Sequence, residues 1–394
     1  MTPAARTQAA IELLDAIVAA ARDGGASADV LIARGFAARR YAGSKDRRAI
    51  RELVYAAIRL YGERPETGRA ALLALAARDP ALAATFDGSS YGPAPIAAGE
   101  PVAEAGIAPA WLIEALAASG IDATQAAALL DRAPLDLRVN RLKANVDQVR
   151  AELRDAQPIA GLPDALRLPA DTPVESTSAY REGAFEVQDA GSQIVTLAAG
   201  AQPGMRVVDL CAGGGGKTLA LAAAMANRGE LLATDSDRPR LSRLAPRAER
   251  AGVGIVETRL LNPGREAEPL ADWIGSADVV LVDAPCSGTG TWRRNPEARW
   301  RITPARLAKL VETQARLLDI AATLVRPGGT LVHIVCSLLD AEGADQVRAF
   351  LARHPDWVAA PLALPAGSPH GPGMRLTPLS HSTDGFFVAK LVRA

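Results

Sequence analysis

From Phe185 to the end of the chain, short apolar runs alternate with glycine-rich turns and helical segments. These runs lie at residues 206–210, 230–234, 254–258, 279–282, 330–335 and 386–391. Such alternation favours a parallel sheet with helices on both faces, because parallel strands need long crossover connections. Ligands of these sheets bind outside the carboxyl ends of the strands. The sequence therefore predicts an α/β fold, a doubly wound parallel sheet, with a site at that edge.

Upstream of this alternation the chain changes character twice. Residues 7–77 and 109–131 carry apolar side chains at helical spacing, which predicts a helical domain. Residues 137–142 alternate in part like a half-buried strand, 146–153 follow as a helix, and 161–182 read as loop with short strands. A chain of 394 residues is long enough for two or three folding units. We predict a helical domain at 1–131, a small α+β subdomain at 132–184 and the α/β domain at 185–394.

The charge balance argues against a purely electrostatic binder of polyanions. Lys+Arg and Asp+Glu both number 44, so any nucleic-acid surface must come from local clusters. The three cysteines are too few for a disulfide framework and show no C-x-x-C spacing, so we expect no structural metal and a reducing compartment. The chain shows neither the apolar core of a signal peptide nor a run long enough for a membrane span. We expect a cytoplasmic protein without membrane contact.

Two segments of the N-terminal half are candidate contacts for RNA. Residues 39–48 contain five cations and one acid, and phosphate binding and plain solvation explain this pattern equally well. In the predicted strand, Arg138 and Asn140 fall on a polar side, and Lys143 lies just beyond its end. This arrangement suits phosphates or water.

The loop at 292–306 is the strongest candidate for an RNA surface. It carries several arginines, including Arg293, Arg294 and Arg299, and two tryptophans are interleaved with them. Guanidinium groups hold phosphates and indole rings stack on bases. Because arginine dominates the cations of the whole chain, the cluster carries less weight than its density suggests.

A glycine-rich turn follows the first strand of the alternating series. Residues 209–218 read DLCAGGGGKT, whose end matches the phosphate loop of nucleotide triphosphatases. The match fails at Cys211, where that loop needs its first glycine. The second strand leads to Asp235, a carboxylate that can accept from both hydroxyls of a ribose. Since a dinucleotide usually needs G-x-G-x-x-G, we favour S-adenosylmethionine as the ligand.

Two later strands each end with a thiol. One run leads through Asp283 to Cys286, and the next ends at Cys336. Neighbouring strands lie about 4.8 Å apart, so both thiols are expected to share one pocket. The alternative is two inert core cysteines, which their placement at strand ends disfavours. His333 precedes Cys336 by three residues and should point to the opposite face, so a buried histidine is favoured over a Cys-His dyad.

Four motifs in order resemble the Sun/RsmB family of RNA cytosine-C5 methyltransferases. They read FEVQDAGSQ, DLCAGGGGKT, DAPCSGTG and CSL, at residues 185–193, 209–218, 283–290 and 336–338. The resemblance covers 185–394, and residues 44–55 resemble the NusB-like helical domain of the bacterial 16S rRNA methyltransferase B branch. It implies a Rossmann-like methyltransferase domain, a NusB-like RNA-binding domain, S-adenosylmethionine as cofactor and RNA, foremost 16S rRNA, as the partner of a monomer. The alternatives are a tRNA methyltransferase and a non-catalytic RNA-binding assembly factor.

The resemblance also assigns roles to single residues. The family's nucleophile is the thiol after the fifth strand, here Cys336, whereas Cys286 assists resolution of the adduct. Asp283 is our candidate for the carboxyl group that hydrogen-bonds N3 of the base. Lys217 either contacts the cofactor or substrate or caps its turn. The expected cofactor set is Cys211, whose side chain we expect to serve as a packing group, with Ala212, Gly213, Gly214, Gly215, Gly216, Lys217, Asp235, Arg240 and Asp283.

The chain departs from the family pattern at three places. After the third strand, residues 259–262 read Arg-Leu-Leu-Asn, where the family often has an acid against the adenine, so we assign no adenine contact there. Gly214 stands where the family usually has proline, and residues 340–343 read Asp-Ala-Glu-Gly where it has Pro-x-Glu-Asn. Glu342 is kept, as are both thiols and Asp235. We therefore predict an active enzyme.

Overall fold

The computed structural model describes all 394 residues and divides them into two compact units. One unit contains residues 1–131 together with 291–303, and the other contains 132–290 together with 304–394. The chain thus passes between the units after residues 131, 290 and 303. None of its helices combines the length and the apolar character that crossing a membrane requires.

The first unit is helical, as the apolar spacing predicts. Thr2 caps the first helix by accepting from Ala5 N, and Gly24 ends it with a left-handed φ of 75°. Fully buried aliphatic side chains such as Leu14 and Ile50 form the core of the unit. Its helices are α1 (Pro3–Asp23), α2 (Ala28–Ala38), α3 (Ser44–Leu60), α4 (Gly68–Ala76), α5 (Pro80–Ala83), α6 (Ala110–Ala118) and α7 (Ala123–Ala128).

Residues 291–303 complete the core of this helical unit. Trp300 belongs to the same apolar cluster as the helices, and its Nε1 donates to the carbonyl of Tyr61 at 3.1 Å. The carboxylate of Glu297 accepts from Ala28 N, the first residue of α2, at 2.9 Å. That bond satisfies a free N–H at the positive end of the helix. A segment that the sequence presents as a loop therefore contributes to the packing of the helices.

A four-stranded antiparallel sheet begins the second unit. It contains β1 (Leu135–Val139), β2 (Gln157–Ile159), β3 (Leu162–Leu168) and β4 (Phe185–Val187) in the order β2-β3-β1-β4, with α8 (Val146–Glu152) and α9 (Ser178–Arg181). The predicted strand at 137–142 and helix at 146–153 are confirmed with shifted bounds. The regular strand β3 occupies part of the region predicted as loop with short strands.

A nine-stranded sheet carries the predicted alternation. Its strands are β5 (Arg206–Asp209), β6 (Glu230–Asp235), β7 (Val256–Leu260), β8 (Ala277–Asp283), β9 (Val325–Val335), β10 (Trp357–Ala360), β11 (Ser368–His370), β12 (Gly373–Leu376) and β13 (Phe386–Arg393). The parallel part has the order β9-β8-β5-β6-β7. Beyond β9 the sheet continues antiparallel through β13, β12 and β11, and β10 also pairs with β13. All predicted strands are present, but the sheet is mixed rather than purely parallel.

Helices cover both faces of the large sheet. Val207 of β5 packs with Ile194, whereas the adjacent Val208 packs with Leu317 and Phe350, in a separate cluster. This arrangement confirms the Rossmann-like fold and brings the carboxyl ends of β5, β6, β8 and β9 to one edge. The helices are α10 (Ala190–Leu197), α11 (Gly216–Ala224), α12 (Arg238–Leu241), α13 (Leu244–Ala251), α14 (Pro304–Leu324), α15 (Ala344–Arg353) and α16 (Pro378–His381).

Candidate active site at the carboxyl edge of the sheet

The two thiols meet just beyond the ends of neighbouring strands. Cys286 follows β8, Cys336 follows β9, and their sulfur atoms are 3.3 Å apart. Ala284 N donates to Ile334 O at 2.9 Å, so the strand pairing continues up to the thiols. The distance confirms that both cysteines share one pocket. A sulfur pair this close can exchange a proton directly.

Buried hydrogen bonds connect the two segments that carry the thiols. Ser287 Oγ lies 3.1 Å from Ser337 Oγ, which lies 3.1 Å from Thr289 Oγ1. Glu342 accepts from Ser287 N at 2.8 Å and also from the Ser287 hydroxyl. Gln314 Nε2 donates to Glu342 at 3.1 Å and to the carbonyl of Pro285 at 2.9 Å. The network fixes both segments in one geometry.

The glycine-rich turn forms a concave backbone between β5 and α11. Gly213 and Gly215 have φ of 54° and 85°, which side chains rarely adopt. A side chain at Gly215 would also meet Leu244, and one at Gly213 would meet the Arg240 guanidinium. At Gly216 nothing lies within 4 Å of the position where a Cβ would be, so the turn is open there.

Carboxyl groups surround this turn. Asp235 is buried and accepts from Gly213 N at 2.8 Å and from Asp237 N at 2.7 Å. Asp209 is fully buried, and its Oδ2 accepts from Thr218 Oγ1 at 2.6 Å while its Oδ1 has no partner. Burial raises the pKa of Asp209 to about 7. A glycine-rich turn that is open at Gly216, beside a strand-end carboxylate, fits an adenosyl ligand.

Lys217 joins the turn to the strand that carries Asp283. Its Nζ lies 2.7 Å from Asp283 Oδ2 and 5.5 Å from the centre of the Phe386 ring. Burial lowers the pKa of Lys217, but the charge and hydrogen bond of Asp283 outweigh it and the pKa is raised. Lys217 is thus a cation whose position is fixed by its ion pair with Asp283. Cys211, on the same turn, is half-buried.

His333 is buried, as the strand alternation predicts. It is fully inaccessible, and its Nε2 lies 3.0 Å from the carbonyl oxygen of Glu342. Burial lowers the pKa of His333 to about 4, so the ring is neutral near pH 7. His333 therefore packs in the core and forms a hydrogen bond with the segment that follows β9.

The predicted polar face of β1 is wrong. Arg138 and Asn140 are only 7% and 3% exposed. Arg138 Nε donates to Gln188 at 2.7 Å, and Asn140 donates to the carbonyls of Gly183 and Ala251 at 2.9 Å. The residues of β1 after Leu135 are all buried, so both faces of the strand are covered and its polar side chains bond other parts of the domain instead of solvent. Lys143 remains exposed.

The predicted RNA surface at 292–306 is also wrong for two of its arginines. Arg299 is fully buried and donates to the carbonyls of Ile58 at 2.5 Å and Tyr61 at 2.8 Å. Arg293 is only 7% exposed. These side chains belong to the packing of the helical unit. Arg294 is half-buried, and its contact with RNA stays a prediction.

Comparisons with known proteins agree with this site. The sequence profile for the 16S rRNA methyltransferase RsmB/F family matches residues 196–392, and that for the ferredoxin-like domain of the same proteins matches 108–175. The chain belongs to the RsmB/F family. The first profile contains β5, β6, β8 and β9 with both thiols, so the family match and the geometry concern the same residues.

Individual RsmB/F relatives support the assignment. The chain is 40% identical over 275 residues to a probable ribosomal RNA small subunit methyltransferase B of Synechocystis, covering 66% of this chain and 60% of the relative. It is 37% identical over 295 residues to ribosomal RNA small subunit methyltransferase B of Salmonella paratyphi C, covering 72% and 66%. The matched region thus spans about two thirds or less of these relatives. The crystal structure of PH0851 superposes with a TM-score of 0.77 at 26% identity, over 99% of both chains.

Several site residues were not found by sequence reasoning. Ser287, Thr289 and Ser337 lie within the DAPCSGTG and CSL motifs, but the motifs assign them no role. Gln314 lies outside every motif, and only the fold brings the four together. Arg247 of α13 donates to the carbonyl of Gly214, and nothing in the local sequence marks it. The retained Glu342 was the one available signal.

Proposed function

We propose that this protein transfers a methyl group from S-adenosylmethionine to carbon 5 of a cytosine in 16S rRNA. The observation that carries the proposal is the pair of thiols, 3.3 Å apart, at the carboxyl edge of the sheet. Most methyltransferase reactions need no thiol, whereas cytosine carbon 5 must first be activated. Two thiols in one pocket supply a nucleophile and a second proton-transferring group.

The chemistry explains why a thiol is needed. Carbon 5 of cytosine is a poor nucleophile, and addition of a thiolate to carbon 6 converts the ring into an enamine-like species. We assign this addition to Cys336. Asp283, held by Lys217, would stabilise a proton at N3 of the base, released as the Cys336 thiol becomes a thiolate, and would so favour the addition. After carbon 5 has been methylated, the proton on carbon 5 is removed and the Cys336 sulfur is expelled from carbon 6. Cys286 assists this resolution of the adduct.

The turn between β5 and α11 would hold the cofactor. Asp235 would accept from the ribose, and the turn of Cys211, Ala212 and Gly213 to Gly216 would let backbone approach the ligand. Lys217, Arg240 and Asp283 border the same space. When bound, S-adenosylmethionine supplies an electrophilic methyl group on a sulfonium centre.

RNA recognition would use exposed cations. Lys143 is exposed near the small sheet, and Arg40, Lys45 and Arg48 are exposed around the start of α3 in the helical unit, which we propose is a NusB-like RNA-binding domain. The names of the relatives favour 16S rRNA over tRNA. The target cytosine would have to leave its stack to reach the thiols.

The test is methyl transfer from labelled S-adenosylmethionine to purified 16S rRNA and, separately, to tRNA. We expect label in 16S rRNA, and bisulfite sequencing should place 5-methylcytosine at a defined position. Label in tRNA alone would refute the substrate, and label outside carbon 5 would refute the reaction. An RNA-binding scaffold without catalysis would give no label and no heat on titration with S-adenosylmethionine.

A further inference from the structure

Glu342 places a buried carboxylate directly behind the segment that carries Cys286. It is fully inaccessible, and its oxygens accept from the backbone N and the hydroxyl of Ser287 and from Gln314 Nε2. All three donors are neutral. These hydrogen bonds favour the ionised form of the carboxylate, and none of them comes from a cation that would cancel its charge. Its field therefore acts on the adjacent thiol.

The opposite charge lies on the side of the other thiol. Burial lowers the pKa of Lys217, and the raising effects of Asp283 and then of Cys336 outweigh this, so Lys217 and Cys336 interact electrostatically. Lys217 projects from α11 and is held by its ion pair with Asp283. The negative charge of Glu342 thus acts on Cys286 through the segment that it bonds, and the positive charge of Lys217 interacts with Cys336.

We propose that Glu342 is a positioning residue that keeps the proton on Cys286, so that the thiolate of the pair forms at Cys336. This inference deepens the proposed function and rests on it, because it gives a physical cause for the division of labour between the cysteines. Neither spacing nor composition distinguishes the two thiols. The asymmetry of the charges around them does.

The environment of Cys286 fits this assignment. The hydrogen bond to Cys336 is the largest cause that raises the pKa of Cys286, followed by burial and by the charges of Cys336 and Glu342. Other ionisable side chains at this edge are Asp283 and Lys217, which form an ion pair, and Asp209 and Asp235, which lie beside the glycine-rich turn. Once Cys336 has bonded to the base it is a neutral thioether, and two of these causes vanish. Cys286 then releases its proton more readily, at the stage where the adduct must be resolved.

The test measures which cysteine reacts, without RNA or cofactor. Full-length protein is treated briefly with iodoacetamide between pH 6 and 10, and alkylation of each cysteine is quantified by mass spectrometry. Cys211 serves as an internal reference. In the wild type we expect Cys336 to react at lower pH than Cys286, because the thiolate is the reactive form.

The variant Glu342→Gln removes the charge and keeps an oxygen acceptor for Ser287 N. We expect the ratio of Cys286 to Cys336 alkylation at pH 8 to rise about tenfold, as a decrease of one pKa unit would produce while the thiol form dominates. The control Ser287→Ala loses a hydrogen bond but keeps the carboxylate, so its ratio should stay within about twofold of the wild type.

Two results would overturn the proposal. One is an unchanged ratio in a folded Glu342→Gln variant, and the other is alkylation of Cys286 before Cys336 in the wild type. The second measurement needs no variant, so it decides the matter even if Glu342→Gln does not fold. If methyl transfer to RNA is absent while the alkylation order is as expected, the proposed function fails and the charge asymmetry stands.

Discussion

Asp209 is a carboxyl group whose ionisation is changed by folding at this edge of the sheet. It is completely buried at the end of β5, and one of its oxygens has no partner. Burial raises its pKa to about 7, with the hydrogen bond from Thr218 opposing this and the charge of Asp283 adding to it. In the unfolded chain the same group ionises near pH 4. Between about pH 4 and pH 7, Asp209 is therefore protonated in the folded protein and ionised in the unfolded chain.

This difference predicts how the stability depends on pH. The favourable contribution of protonated Asp209 is complete below about pH 4 and is lost as the pH rises to about 7. Asp209→Asn stays neutral throughout. The free energy of unfolding of the variant, minus that of the wild type, should therefore rise by about 2–3 kcal/mol between pH 5 and 8. Urea unfolding at a series of pH values measures this difference. His333 has a lowered pKa and contributes a pH dependence of opposite sign, but it is present in both proteins, so its contribution cancels.

Asp278→Asn is a suitable control for the pH series. The Asp278 carboxylate is partly buried, and the bond from Arg206 N and the ion pair with Arg326 outweigh that burial and lower its pKa. Its titration lies below the range of the experiment, so its difference from the wild type should be flat from pH 5 to 8. A flat difference for Asp209→Asn as well would show that the buried carboxyl does not titrate there.

At the scale of elements, α13 and the small sheet together hold the glycine-rich turn between β5 and α11. Arg247 of α13 donates to the carbonyl of Gly214, and its Nη2 lies 2.7 Å from the carboxylate of Glu186 in β4. Glu186 is only 3% exposed. The flexible glycine turn is thus restrained by an arginine that is itself fixed by a buried acid.

Arg247→Ala should therefore weaken cofactor binding. Loss of a charge-assisted hydrogen bond to the turn allows it more conformations, and we expect the Kd for S-adenosylmethionine to rise about tenfold. Arg243→Ala, an exposed residue adjacent to the same helix, is the control and should leave the Kd unchanged. Titration calorimetry compares the two. Equal affinities in both variants would mean that Arg247 does not restrain the turn.

The elements were more predictable from the sequence than the surroundings of single side chains. The alternating runs predict every strand of the parallel part, and the strand-end cysteines predict a shared pocket, in which the sulfur atoms lie 3.3 Å apart. The direction of β13 and the presence of β10 to β12 depend on pairing between distant segments, which local patterns do not encode. The prediction that Arg138 lies at the surface is wrong because alternation assumes one solvated face, whereas both faces of β1 are covered.

At the scale of the whole molecule, the sequence order of the segments does not match their assignment to compact units. Residues 291–303 directly follow the DAPCSGTG motif, yet they belong to the helical unit. Arg299 bonds two carbonyls at the end of α3, across more than 200 residues of sequence. Such a contact cannot be inferred from a cluster of arginines, and for this reason the segment was interpreted as an RNA surface.

Arg299→Ala should destabilise the protein. The substitution leaves the carbonyls of Ile58 and Tyr61 with fewer donors and opens a cavity, so we expect a loss of about 3 kcal/mol. Arg40→Ala, an exposed change in the same unit, should cost less than about 0.5 kcal/mol. Urea unfolding of the full-length variants tests this. Equal stability of the two would contradict a packing role for Arg299.

The covalent mechanism is the central claim, and trapping of protein–RNA adducts tests it most directly. Cys286→Ala and Cys336→Ala are each incubated with 16S rRNA and S-adenosylmethionine and then run on a denaturing gel. We predict a covalent protein–RNA band for Cys286→Ala, because the adduct forms but is not resolved, and neither band nor methyl transfer for Cys336→Ala. A fully active Cys336→Ala variant, or a band that forms only with that variant, would contradict the account.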